Sequence, residues 1–201
     1  MSDLERLTEA LMQKLFVQVE ASGRHVHLTE ADAMALFGHP LTEDRPLSQP
    51  GQYVCRERVT LVGPKGSISR VAVLGPARKE SQVEISRTDA VTLGVDAPVR
   101  LSGDVAGTPG ITLLGDRGQL QLKEGVMIAR RHMHMTPEDA ARYGLKSGDE
   151  VSVRCLSARP LILEDVAVRV SPEFTTRVHI DFDEANACGF RTGDLGRIVH
   201  G

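Results

Sequence analysis

Two histidine pairs are the residues in this 201-residue chain best suited to chemistry. His25 and His27 stand in RHVHLT, and the pattern recurs as RHMHMT around His132 and His134. Residues i and i+2 of a β-strand point to the same face, so each pair could hold one metal ion. A single H-x-H pair can arise by chance on an exposed strand, but two pairs in duplicated contexts favour metal binding.

A looser form of the repeat occurs four times. Each copy has a residue able to bind a metal, then an apolar residue, a helix N-cap, and an acid followed by alanine. The first positions are His27, Glu84, His134 and His179. The caps are Thr29, Ser86, Thr136 and Asp181, and the acids are Asp32, Asp89, Asp139 and Glu184. The cap-x-x-acid spacing resembles a capping box, and Gly38, Gly94, Gly144 and Gly189 would end the helices. The repeat therefore predicts four strand–cap–helix units, two in each of a pair of barrels.

The ligand count favours reactive rather than structural metal sites. Glu84 and His179 could complete two sets of three ligands, one with each histidine pair. Structural zinc usually has four protein ligands and favours Cys, whereas catalytic zinc has three and keeps one position open.

The composition and the short apolar runs limit the possible fold classes and the kinds of binding partner. Short β-branched runs such as VTLVG (59–63) and EVSVRC (150–155) predict an all-β barrel or sandwich with short helices. A net charge of -3 without a basic run argues against nucleic acid, and no apolar run is long enough to span a membrane. The three cysteines, Cys55, Cys155 and Cys188, lack metal-knuckle spacing and favour buried, reduced thiols in a cytoplasmic setting.

The N-terminus predicts a helix over residues 3–16, because leucines recur at positions 4, 7, 11 and 15. Such a stripe most often packs on its own domain, and a detachable targeting or assembly helix is the alternative.

Two basic side chains, those of Arg78 and Lys65, could bind an anion. Arg78 precedes Glu84 by six residues, and a planar guanidinium beside dications suits phosphate; a surface arginine is the alternative. Lys65 lies in the turn GPKG, where it could meet a phosphate or simply belong to a hairpin.

From about residue 20 onward the chain resembles the PduL-type phosphotransacylases, also called phosphate propanoyltransferases. The resemblance runs in order through RHVHL, LSQPGQY, TLVGPKG, QVEISRTDA, GTPGI, RRHMHM, VSP and HIDFDEANA. It implies two closed antiparallel β-barrels capped by short helices and sharing a two-zinc site, the second barrel inserted into the first. The implied division is a helical segment at 1–20, a first barrel from 21–58 and 125–201, and a second barrel from 59–124.

The resemblance also implies roles for individual residues. His25, His27 and Glu84 would bind one zinc ion, His132, His134 and His179 the other, and Arg78 would bind phosphate. The coenzyme A site would include Ala21, Ser22, Gly23, Lys65 and Asn186. Gly23 stands where the family commonly has asparagine.

The implied activity is the reversible conversion of propanoyl-CoA, or acetyl-CoA, and phosphate into acyl phosphate and CoA, in propanediol or aldehyde catabolism. The resemblance further implies a homodimer in the bacterial cytoplasm, inside a microcompartment, with residues 3–16 meeting shell or cargo proteins. The residues alone leave open two other classes: a two-metal thioesterase or other hydrolase, and a non-catalytic assembly component stabilised by zinc.

Overall fold

A computed structural model describes residues 3–199, apart from the side chains at positions 3, 7, 9, 10, 13 and 14. Two compact units make up this range. The barrel unit comprises residues 3–22, 131–180 and 184–199, and the sheet unit comprises 23–130 and 181–183. Both units are built mainly of β-strands, which confirms the prediction of a mainly-β protein.

In chain order the elements are α1 (Asp3–Leu15), β1 (Val17–Ala21), β2 (His25–His27), α2 (Glu30–Phe37), β3 (Glu43–Pro46), β4 (Tyr53–Val62), β5 (Ser67–Gly75), β6 (Gln82–Ile85), α3 (Arg87–Leu93), β7 (Val99–Arg100), β8 (Ile111–Leu114), β9 (Gln119–Leu122), β10 (Val126–Ala129), β11 (His132–Met135), α4 (Pro137–Tyr143), β12 (Glu150–Leu156), β13 (Leu161–Val170), β14 (Arg177–Ile180), α5 (Phe182–Cys188) and β15 (Leu195–Val199).

The barrel unit contains a closed six-stranded barrel, in the order β1-β14-β11-β13-β12-β15. Closure depends on β15, which pairs with β12 on one side and with β1 on the other. Strand β12 shows why the interior is apolar: Val151, Val153 and Cys155 are buried at alternate positions. Because successive side chains point to opposite faces, this alternation fills the barrel and leaves the intervening residues outside.

The sheet unit forms a nine-stranded sheet in the order β7-β10-β6-β2-β5-β4-β8-β9, with β3 paired to β4. Among the described residues, no ladder joins the end strands β7 and β9, so this sheet is open. The expectation of two closed barrels is therefore wrong for one of them. Strand β7 has only Val99 and Arg100, and its one ladder among the described residues is with β10.

The division of the chain differs from the expected one. A boundary at residue 58 would cut β4, which runs unbroken from Tyr53 to Val62 and pairs with β5 along its length. Strand β2 pairs with both β5 and β6, which places residues from Gly23 onward in the sheet unit. The helical segment is also shorter than 1–20, because α1 ends at Leu15 and β1 begins at Val17.

Helices α2, α3 and α4 begin at the predicted caps, where Thr29, Ser86 and Thr136 accept from the backbone N–H three residues on. Only Ser86 has the reciprocal bond of a capping box, donating its N–H to Asp89 at 3.3 Å.

A hydroxyl intervenes in the other two caps. The Thr29 N–H donates to Ser81 Oγ at 2.9 Å, and the Ser81 hydroxyl donates to Asp32. The Thr136 N–H likewise donates to Thr176 Oγ1 at 3.1 Å, and that hydroxyl donates to Asp139. Asp is one methylene shorter than the usual Glu, and the hydroxyl spans the difference. Since Ser81 and Thr176 directly precede β6 and β14, each cap also fixes the start of the strand that carries Glu84 or His179.

Helix α1 carries its apolar stripe in solvent. The exposed fractions of Leu4, Leu11 and Leu15 are 73%, 49% and 55%, and the side chain of Leu7 lies outside the described set. Packing of this stripe on the barrel, the more usual arrangement, is therefore not what the structure has. Within residues 3–199, no helix has the length and apolar character needed to cross a membrane.

Candidate active site

The sheet unit brings His25, His27 and Glu84 together. His25 on β2 lies directly opposite Glu84 on the antiparallel strand β6, and His27 follows on the same face. His25 Nε2 is 3.5 Å from Glu84 Oε2, and His27 Nε2 is 3.9 Å from Glu84 Oε1. All three residues are buried, and their ligand atoms lie within 4.8 Å of one another. We call this group the His–His–Glu cluster.

Backbone carbonyls orient both imidazoles of this cluster. His25 Nδ1 lies 2.8 Å from the Gly23 carbonyl oxygen, and His27 Nδ1 lies 3.3 Å from that of Leu74. A protonated Nδ1 that donates to a carbonyl leaves Nε2 with its lone pair, here directed at Glu84. This is the outer contact that metal-binding histidines commonly make.

The barrel unit repeats the arrangement with His132, His134 and His179, which we call the three-histidine cluster. His132 on β11 lies directly opposite His179 on β14, as His25 lies opposite Glu84. The ligand atoms again lie within 4.8 Å of one another, and the ring centroids are 4.7–5.1 Å apart. The repeat in the sequence is therefore a repeat of strand register.

Two observations show that the clusters fit a metal ion. His134 Nδ1 is buried and has no hydrogen-bond partner, an arrangement that is costly unless another group meets the nitrogen. In the His–His–Glu cluster, the 3.5 Å separation of His25 and Glu84 is close to the roughly 3.4 Å between tetrahedral ligands about 2.1 Å from zinc. Nitrogen and carboxylate donors in sets of three also suit zinc chemically.

Burial and mutual charge set the protonation of these groups. Burial, followed by the charges of His25 and Arg78, holds the pKa of His27 well below its usual value. Burial, followed by His132 and Arg169, lowers the pKa of His134 to about 3. Burial would raise the pKa of Glu84, but the two histidines beside it lower it strongly. Burial would lower the pKa of His25, but the neighbouring Glu84 carboxylate raises it. Neutral imidazoles and an ionised carboxylate are the forms that bind metal.

Arg78 lies beside the His–His–Glu cluster. Its backbone N–H donates to the Leu28 carbonyl at 2.8 Å, one residue beyond His27. Its side chain is half-buried, and Nη1 donates to Ser102 Oγ at 2.7 Å. The guanidinium charge opposes the rise in the pKa of His25 and adds to the fall in the pKa of His27, so it acts at the cluster electrostatically. This is the position that an anion-binding arginine beside a metal would need.

The five residues predicted for coenzyme A are distributed between the units. Ala21 ends β1, the Ser22 N–H donates to Ile180, and Asn186 is exposed on α5, all in the barrel unit. Gly23 and Lys65 belong to the sheet unit.

Gly23 packs tightly. A Cβ added there would lie 2.8 Å from the Phe182 ring, so a side chain at this position would require that ring to move. Lys65 occupies the turn between β4 and β5, with its N–H bonded to Leu93 and its side chain against Gly94. The lysine is exposed, as contact with a soluble anion requires.

Several site residues were not predicted. Gln82 and Ser102 contact Glu84 and Arg78, Glu20 lies beside His179, and Phe174 packs on His134 with ring centroids 4.1 Å apart. Gln82 had a signal in the sequence, because it stands two residues before Glu84 in a strand and shares its face. The other three come from turns or from a distant strand, and local patterns do not indicate them.

The cysteines are thiols inside the cores. Cys55, Cys155 and Cys188 are buried and free. Burial raises the pKa of Cys55 to about 12 and, with the help of Cys188, that of Cys155 to about 12. Thiols held protonated in this way are poor nucleophiles, in agreement with the structural role predicted for them.

Comparison with known proteins assigns the family. The family model described as phosphate propanoyltransferase matches residues 18–191. A phosphate propanoyltransferase of Listeria monocytogenes is 54% identical over 198 residues, covering 98% of this chain and 93% of that protein. Those of Thermotoga maritima and Clostridioides difficile are 51% and 49% identical, covering 99% and 98% of this chain and 96% and 95% of theirs. With these matches over nearly its whole length, the chain belongs to the phosphate propanoyltransferase family.

Proposed function

We propose that this acyltransferase interconverts propanoyl-CoA and phosphate with propanoyl phosphate and CoA. In the forward direction a phosphate oxygen forms a bond to the thioester carbonyl carbon. The carbon–sulfur bond breaks, and CoA leaves with the electron pair as thiolate. The observation that carries the proposal is the pairing, in one unit, of the His–His–Glu cluster with the Arg78 guanidinium. Acetyl-CoA is proposed as a second substrate.

Each cluster would hold one zinc ion. His25, His27 and Glu84 would bind one, and His132, His134 and His179 the other. Zinc with three protein ligands keeps a position open and supplies a Lewis acid that stabilises negative charge on oxygen or sulfur. The carbonyls of Gly23 and Leu74 fix the imidazole orientation in the first cluster, and the Phe174 ring covers His134 in the second.

The chain's own residues would position the reactants. Phosphate is a weak, highly charged nucleophile, and holding it near the thioester converts an encounter into a positioned attack. Arg78 would hold phosphate through its planar donors. Ala21, Ser22, Gly23, Lys65 and Asn186 would contact coenzyme A, Lys65 through its exposed charge.

The direct test is release of free thiol from propanoyl-CoA by the zinc-loaded protein. We expect release that requires phosphate and falls to background after chelation, and we expect propanoyl phosphate to accumulate in equal amount. Thiol reagent measures the first product, and hydroxylamine trapping measures the second. The control is chelated protein to which zinc has been restored.

The same assay separates the two alternatives. Release that needs metal but not phosphate would identify a thioesterase, with metal-bound water replacing phosphate as the nucleophile. Folded, zinc-loaded protein that releases no thiol from either propanoyl-CoA or acetyl-CoA would favour a zinc-stabilised assembly component.

We further propose that α1 directs the enzyme into a bacterial microcompartment used in propanediol or aldehyde catabolism. Its exposed leucines form an apolar face that a shell or cargo protein could cover. Changing Leu4, Leu11 and Leu15 together to Ser should abolish co-sedimentation with microcompartments while leaving thiol release within twofold of wild type. Glu5→Gln, at an exposed position of the same helix, is the control. Retained co-sedimentation of the triple variant would remove α1 from targeting.

A homodimer is also part of the proposal. Sedimentation equilibrium of the full chain measures it directly, and a monomeric mass would contradict it.

A further inference from the structure

Ser102 joins the arginine to the His–His–Glu cluster. It lies two residues after the end of β7, in the turn that follows that strand. Its hydroxyl oxygen accepts from Arg78 Nη1 at 2.7 Å and from Gln82 Nε2 at 2.8 Å. Two acceptor positions on one hydroxyl are thus filled by two side chains that come from different segments of the sheet unit.

Gln82 is held in a single orientation. It is 1% exposed, and its Oε1 accepts the Gly103 N–H at 2.9 Å. Since that backbone group can only donate, the amide oxygen must face it, and the amide nitrogen must face the other way. The nitrogen donates to Glu84 Oε1 at 2.5 Å and to Ser102. Gln82 therefore supports both the carboxylate of the cluster and the serine.

Ser102 is linked to the carboxylate of the cluster through Gln82, whose amide nitrogen donates to both. A serine hydroxyl has one donor and two acceptor positions, and both acceptor positions are in use. The hydrogen-bonded series Arg78–Ser102–Gln82–Glu84 therefore forms a connected polar network inside one unit.

We propose that Ser102 is a positioning residue for phosphate: it fixes the Arg78 guanidinium relative to Glu84, so that the anion and the metal cluster are presented together. The inference rests on the proposed function, in which Arg78 binds phosphate. A long arginine side chain has many rotamers, and a charge-assisted hydrogen bond to one amino group selects among them. Ser102 would act through Arg78 and would not itself touch the reacting atoms.

The first test is Ser102→Ala on the zinc-loaded full chain. We expect the KM for phosphate and the Kd for inorganic phosphate, measured by calorimetry, to rise about tenfold, as loss of a charged hydrogen bond does. The KM for propanoyl-CoA should stay within twofold, and bound zinc should stay at the wild-type level. Ser102→Thr keeps the hydroxyl and should restore phosphate binding to within about threefold of wild type. Ser69→Ala, at an exposed position of β5, is the matched control.

A double-mutant cycle tests whether Ser102 acts through Arg78. In an Arg78→Ala background, the further change Ser102→Ala should alter phosphate binding less than twofold, because the group it positions is gone. An equally large effect in both backgrounds would overturn the inference, as would unchanged phosphate binding in Ser102→Ala. If circular dichroism shows that Ser102→Ala is unfolded, Ser102→Cys replaces it in the test. A thiol is nearly as small as a hydroxyl but is a much weaker hydrogen-bond acceptor.

Calorimetry keeps the two proposals separable. Thiol release that is independent of phosphate in the wild type would end the proposed transferase, while weaker phosphate binding by Ser102→Ala would still support the network. If thiol release by the wild type depends on phosphate but Ser102→Ala binds phosphate as tightly as the wild type, only the inference about Ser102 is contradicted.

Discussion

Replacing His134 by Ala should remove one of the two zinc ions proposed to bind each chain and lower the rate of phosphate-dependent thiol release about a thousandfold. The three-histidine cluster offers three ligands, so the loss of His134 leaves two, which do not hold zinc at ordinary concentrations. The space left by the imidazole is lined by the Phe174 ring, which provides no replacement ligand. Removing a residue that only hydrogen-bonds to a metal ligand already lowers metal affinity or activity ten- to hundredfold. Removal of a ligand itself should lower them further.

Controls separate loss of metal from loss of fold. His39→Ala removes a histidine outside both clusters, whose side chain is 54% exposed, and should retain both zinc ions and full activity. Glu84→Gln tests the other cluster at constant size and should likewise leave one zinc ion per chain. Metal analysis and circular dichroism would be measured on each variant. Two bound zinc ions and normal activity in His134→Ala would exclude the three-histidine cluster as a metal site.

The grouping of the six candidate metal ligands into two clusters could be predicted from the sequence for a physical reason. A strand places i and i+2 on one face, and the duplicated positions of Glu84 and His179 put each opposite the first histidine of its pair. Spacing alone does not give that register; it requires β2 to pair with β6 and β11 with β14. The sequence repeat predicts this register indirectly. Because the motif is duplicated, the pairing that brings Glu84 to the first histidine pair should also bring His179 to the second.

Strand pairing over long distances explains what sequence did not predict. Strand β1 near the N-terminus closes the barrel by pairing with β15 near the other end, and no local pattern records such a partner. The boundary at residue 58, which the family resemblance implied, falls inside β4, because that strand begins at Tyr53, before the run VTLVG. The hydroxyls of Ser81 and Thr176, which complete two caps, are brought in by strands that start far along the chain from those caps.

Arg78→Ala is the second change with a large expected effect. It should raise the KM for phosphate at least tenfold and lower kcat, reducing kcat/KM for phosphate by about a hundredfold, because the guanidinium proposed to hold the nucleophile is lost. Both zinc ions should remain bound, since Arg78 is not a ligand of either cluster. The KM for propanoyl-CoA should change little, and initial rates with each substrate varied in turn measure the difference.

Two further variants identify what Arg78 contributes. Arg78→Lys keeps the positive charge but not the planar fork, so it should recover part of the phosphate binding and remain well below wild type. Arg87→Ala removes an exposed arginine next to the cap of α3 and should leave the kinetics unchanged. If Arg78→Lys equalled wild type, a positive charge with ordinary donors would be sufficient and the planar fork would have no role. Unchanged phosphate kinetics in Arg78→Ala would instead place the phosphate elsewhere in the protein, because a guanidinium that binds the nucleophile cannot be removed without affecting its affinity.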